Sequence, residues 1–124
     1  MNSTITKAAR YVLGLFMLVF GANHLFNFMP APTPPPEAGA FLGALAGSGY
    51  IFEILGIVYV IVGLCLVVNK AVPFALAMLV PVSINVVAFH FAFDLAGIMF
   101  AAIVAVLNLL LIYAYWDRFK SLFD

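Results

Sequence analysis

Pro73 to Phe93 forms one apolar run, long enough at about 1.5 Å per helical residue to cross a hydrocarbon core of about 30 Å. Within it stand Pro81, Ser83, Asn85 and His90. Polar groups in hydrocarbon are costly, so they usually face protein or a water-filled cavity, and they mark candidate functional positions. The rest of the chain has the same character. Its 124 residues are 67% hydrophobic and 8% charged, with a mean hydropathy of +1.22. Soluble domains run nearer 45–50% apolar and about 25% charged. An all-α integral membrane protein is the expectation, a four-helix bundle with little length left for anything else.

Taken in order, Lys7 and Arg10 precede the apolar run from Tyr11 to Phe28, and Asn27-Phe28-Met29-Pro30 offers no small-residue cleavage site. The run is therefore read as a retained first span rather than a signal peptide. Ala31-Pro32-Thr33-Pro34-Pro35-Pro36 cannot be helix and predicts a polyproline-like strap. The small-residue stretch 38–49 is too weakly apolar to span and reads as an interfacial or re-entrant half-helix, roofing whatever lies beneath it. The expected spans are then about 8–29, 50–68, 73–93 and 98–115. Gly97, Ala101 and Ala105 lie at four-residue spacing on the last, a pattern suited to close helix packing.

With four spans, Lys7, Arg10, Lys70, Arg118 and Lys120 all fall on one side, and Glu37 and Asp94 on the other. The positive-inside rule places that basic side, with both termini, in the cytoplasm. The formal net charge of zero argues against nucleic acid as a partner. Cys65 is the one cysteine, which excludes an internal disulfide and intramolecular dithiol chemistry.

Depth along each span singles out the candidate site. His24, Glu53 and His90 each fall within roughly two turns of the outer surface, and Asn27 lies near them. Asn85 and Asn108 lie deeper. The candidate pocket is thus His24, Asn27, Glu53, Asn85 and His90. Each has a plainer role open to it. The histidines can bond a neighbouring backbone carbonyl, Glu53 can snorkel to the headgroups, Asn85 and Asn108 can pair across helices, and Ser83 can bond back to its own helix beside Pro81. No H-x₃-H or E-x-x-H spacing supports a metal. Two histidines on separate spans could ligate haem axially, but both lie near one surface and no second pair exists. A quinone or another amphipathic small molecule fits better, given an apolar slot, His and Asn to meet its oxygens and Glu53 as an acid.

Several stretches resemble the DoxX-like family of small membrane proteins: Gly21-Ala22-Asn23-His24-Leu25-Phe26, Gly47-Ser48-Gly49-Tyr50, Gly63 through Pro73, Pro81 through His90, and the closing Tyr113-Ala114-Tyr115-Trp116-Asp117-Arg118-Phe119. The resemblance covers nearly the whole chain. It implies a four-helix bundle in a bacterial inner membrane and, by association, a small subunit or partner in quinone-linked redox chemistry. Some members resemble the small subunits of thiosulfate:quinone oxidoreductase. Where the family often carries an acid in its second span this chain has Tyr59, and Glu53 lies nearer the outer surface. A non-catalytic anchor for a larger complex and a small-molecule transporter are the competing readings, and a protein partner or a second copy of the chain is expected with any of them.

Single cysteines at Ser3, Thr33 and Asp94 in a Cys65→Ala background test the orientation with an impermeant thiol reagent on intact cells. Thr33 and Asp94 should label and Ser3 should not. Labelling of Ser3 alone would invert the protein.

Overall fold

The structure, a computed structural model, describes residues 2–30 and 33–124. Among them are five α-helices and no strand: α1 (Ser3–Phe26), α2 (Pro36–Gly47), α3 (Ile51–Val68), α4 (Val72–Phe93) and α5 (Met99–Ala114). Helices α1, α3 and α4 are long and apolar enough to cross a membrane. The apolar helix α5 has 16 residues, about 24 Å, which is short of a full hydrocarbon core. A 3₁₀ turn at Leu95–Gly97 precedes it, just ahead of the span expected from about residue 98.

Local chemistry sets the ends. Asn2 caps α1, its side-chain oxygen accepting from Thr4 N–H at 2.7 Å, so the helix starts well before residue 8. It stops at Phe26 rather than 29 because Asn27 adopts the left-handed conformation (φ 51°), and Asn23 Oδ1 accepts from Met29 N–H at 2.8 Å. The strap expected over 31–36 is only partly described, Ala31 and Pro32 lying outside the described residues. Residues 33–35 are not helical, but Pro36 is the first residue of α2, where its missing N–H is no loss. Gly49 (φ 81°) separates α2 from α3. Helix α2 packs on α3 and on the last turns of α4, where Phe41 stacks on Phe93 with ring centroids 5.3 Å apart.

The tightest contact joins α1 to α3. Gly14 faces Gly63 and Gly21 faces Gly56, so the residue numbers of each facing pair have the same sum, the register of two antiparallel helices. A methyl added at Gly63 would lie 2.7 Å from Leu18 Cγ and 2.8 Å from the Gly14 carbonyl oxygen; one added at Gly21 would lie 2.9 Å from Val60 N. The backbones touch. At the end of this seam the Arg10 guanidinium is buried against the last turn of α3, where its Nη1 donates to the carbonyls of Leu66 and Val67. These are terminal carbonyls that no helical N–H reaches, and a cation at the negative end of a helix dipole is favoured.

Helix α4 packs on α3 and on α5, and α5 returns to α1, which closes a ring of contacts. Its core is narrow: Leu13, Val62, Leu66, Leu76, Leu79 and Leu111 are fully buried. No more than a third of each spanning window is buried, 33% in α1 and 28% in α3 and α4. Phe74, Ile84, Val106 and Leu109 are among the large apolar side chains left outside. A patch of that extent needs an apolar surrounding, and a bilayer supplies it.

Replacing Gly63 by Ala should lower stability by about 1–3 kcal/mol through overpacking, read as a drop in Tm in detergent. Gly43, with nothing within 4 Å of an added methyl, is the control. Gly43→Ala should be neutral or raise stability by about 0.5–1 kcal/mol.

Candidate functional site

In the half of the molecule that holds the C-terminal ends of α1 and α4, the four packed helices diverge around a cavity of about 190 Å³. Helix α1 lines it with Met17, Phe20, Asn23 and His24, and α4 with Val82, Ser83, Val86 and His90. Positions 17, 20 and 24 and positions 83, 86 and 90 both follow the three-then-four spacing of one helix face. Tyr59 enters from α3, and Phe100, Ala101 and Val104 from α5. Phe20 and Phe100 meet edge to face with centroids 6.1 Å apart, so much of the wall is aromatic.

The structure thus brings His24 and His90 into one cavity. It does not bring Asn27, Glu53 or Asn85 there: all three are exposed. Asn27 is the cap of α1, and Glu53 lies in the first turn of α3 on its outer side. Asn85 turns back to its own helix, its Nδ2 donating to the Pro81 carbonyl at 2.8 Å. The Asn85–Asn108 pairing and the back-bonding of Ser83 are both replaced by a different pair. Ser83 Oγ donates to Asn108 Oδ1 at 3.0 Å, and Asn108 Nδ2 donates to the Leu76 carbonyl at 3.2 Å, both buried. This chain of bonds ties α5 to α4 beneath the cavity. No residue of α2 lines the cavity, so the helix expected to roof it flanks it instead.

His24 stacks on Phe52, with centroids 5.4 Å apart, and meets Tyr59 edge-on at 5.3 Å. Neither its ring nitrogens nor the Tyr59 hydroxyl has a hydrogen-bond partner among the described residues, and none of these atoms is fully buried. Tyr59 is buried, 6% exposed, and lines the cavity. His90 is held differently. Its Nδ1 lies 3.0 Å from the Asp94 carbonyl oxygen and 3.8 Å from Asp94 Oδ2. Gly97 makes room for this turn: a methyl there would lie 2.7 Å from Asp94 Oδ2 and 3.3 Å from His90 Cε1.

Asn23, Tyr59 and Ser83 are the polar wall residues that the reading of the sequence left out of the pocket. Asn23 had a signal, since it shares the inward spacing of Phe20 and His24. Tyr59 had one in the resemblance, as the residue standing where the family often has an acid. Among the described residues no three His, Cys, Asp or Glu side chains are grouped where they could hold a metal ion. No protein-family model, no curated protein and no solved structure matches the chain.

Removing the Ser83 hydroxyl leaves Asn108 Oδ1 buried without a donor. Ser83→Ala should therefore cost about 1–3 kcal/mol, and adding Asn108→Leu should recover much of it. A double-mutant cycle on Tm in detergent checks this. Additive losses would show that the two residues do not interact.

Proposed function

We propose that the chain is a four-span membrane protein of the DoxX-like kind whose cavity takes the ring headgroup of an amphipathic carrier, a quinone or quinol, and that it serves as a small subunit or partner in quinone-linked redox chemistry. The observation that carries this is the cavity itself: single-ring in size, walled by aromatic and aliphatic groups, with two imidazoles and a phenol on its wall. A cavity of about 150 Å³ admits benzene, so this one suits a six-membered ring, whereas the four pyrroles of a haem exceed it. The neighbouring helices expose long apolar faces on which an isoprenoid tail would lie.

Quinone reduction and quinol oxidation move two protons with two electrons. His24, His90 and Tyr59 are the groups set to hydrogen-bond the ring oxygens and exchange those protons. A partner subunit carries the electrons. That Tyr59 stands in the wall, at the position aligned with the family's acid, supports the resemblance. The basic residues gather at the opposite end from the cavity, which supports a bacterial inner-membrane protein with cytoplasmic termini and a site toward the outer face. Glu53 and Asn85, polar and on the outside of membrane-length helices, favour a further protein packed against α3 and α4, as an anchoring role also requires.

Protein purified in mild detergent should carry a quinone identifiable by mass spectrometry of its extract. Ala101→Leu, which fills the cavity from α5, should lose the quinone without lowering Tm. If wild type neither co-purifies with nor binds an added short-chain quinone, the ring-binding reading fails and the anchoring subunit takes its place.

A further inference from the structure

Hydrogen-bond direction on the α4 wall can be worked out link by link. The Leu76 carbonyl can only accept, so the Asn108 atom facing it is the amide nitrogen. That fixes the other Asn108 atom, the one facing Ser83, as the carbonyl oxygen. Ser83 must then be the donor in its bond to Asn108, and its single hydroxyl hydrogen is committed there. Toward the cavity Ser83 offers lone pairs alone. The same reasoning applies to His90. The Asp94 carbonyl accepts, so Nδ1 carries the proton of the neutral ring and Nε2 is a bare acceptor. The Nδ1 and Cε1 atoms face the Asp94–Gly97 turn, which leaves Nε2 as the polar atom His90 can turn to the cavity.

The α1 wall is built the other way. Asn23 Oδ1 accepts from the Met29 N–H, and its NH₂ has no acceptor among the described residues, so Asn23 has donors to offer. His24 is unpartnered and can take either tautomer. One wall therefore only accepts, and the opposite wall can donate.

From this polarity we infer that the cavity selects the hydroxyl-bearing form of its ring ligand, a quinol or another phenol, over the carbonyl-bearing quinone, with the ligand O–H directed at the α4 wall. The inference rests on the ring-binding reading above and deepens it. A quinol donates to His90 Nε2 or Ser83 Oγ, while its second oxygen accepts from Asn23 or His24. A quinone brings two acceptors, and the one set against α4 finds lone pairs facing lone pairs.

Equilibrium dialysis of the detergent-solubilised Cys65→Ala protein, with empty micelles subtracted, tests this with two pairs of probes: phenol against anisole, and hydroquinone against p-benzoquinone. The hydroxyl-bearing member of each pair should bind roughly tenfold tighter, the scale of one satisfied against one unsatisfied polar contact. His90→Phe, which keeps a ring of similar size, should retain phenol binding and narrow the preference over anisole. Nitrogen NMR of histidine-labelled wild type should show His90 Nε2 unprotonated in the neutral ring and shifted by phenol, not by anisole. Equal affinity within both pairs, or a neutral His90 protonated on Nε2, overturns the selectivity and leaves the ring-binding reading intact. Failure of every ring compound to bind overturns both.

Discussion

Backbone contact between α1 and α3 is the constraint on which the remaining structure depends. Four glycines, paired Gly14 with Gly63 and Gly21 with Gly56, remove the side chains that would hold the helices apart. In a bilayer there is little hydrophobic force between helices, since lipid tails are as apolar as leucine, so close packing of this kind has to supply the attraction. It also fixes rotation. With Gly21 turned toward α3, His24, one turn on, packs on Phe52 and Tyr59 of that helix while Phe20 reaches Phe100 of α5, and Gly56 brings Tyr59, one turn on, to the same level. The cavity lies beside this seam, where α4 and α5 close against α1 and α3 less tightly.

Polar groups divide into those with a structural partner and those without. Arg10 closes the end of α3, Ser83 and Asn108 join α4 to α5, and Asn85 returns to its own helix. Each is accounted for as an internal bond. His24 and the Tyr59 hydroxyl are not, yet both line the wall of one ring-sized space. Unused hydrogen-bonding capacity in an otherwise apolar cavity is what a polar ligand head would complete.

The helices were legible in the sequence because length and composition determine them: apolar runs long enough to span, broken by prolines at 34–36 and by Asn69-Lys70. Their ends were less so. Asn2 and Asn27 shifted α1 by several residues through side-chain and left-handed caps that a hydropathy count does not register. Depth could be counted along each helix, which is why His24 and His90 could be set at one level. Facing could not. In a soluble helix the apolar stripe marks the inner side, but here the lipid-facing side is apolar too, so periodicity does not separate Asn85 outside from Ser83 inside. The glycine pairs carried that information. Gly14 and Gly21, like Gly56 and Gly63, stand at equal separation on two helices, and matching them gives the inward faces directly.

On the proposed function, the space between His24 and His90 is a site for one aromatic headgroup. An experimental structure in lipid nanodiscs, determined with a short-tailed quinol present, tests it most directly. Ring density between the two imidazoles, with one oxygen toward Ser83 and His90, is the predicted result. A cavity without the ring, and quinol density confined to the lipid-facing surfaces, would contradict it.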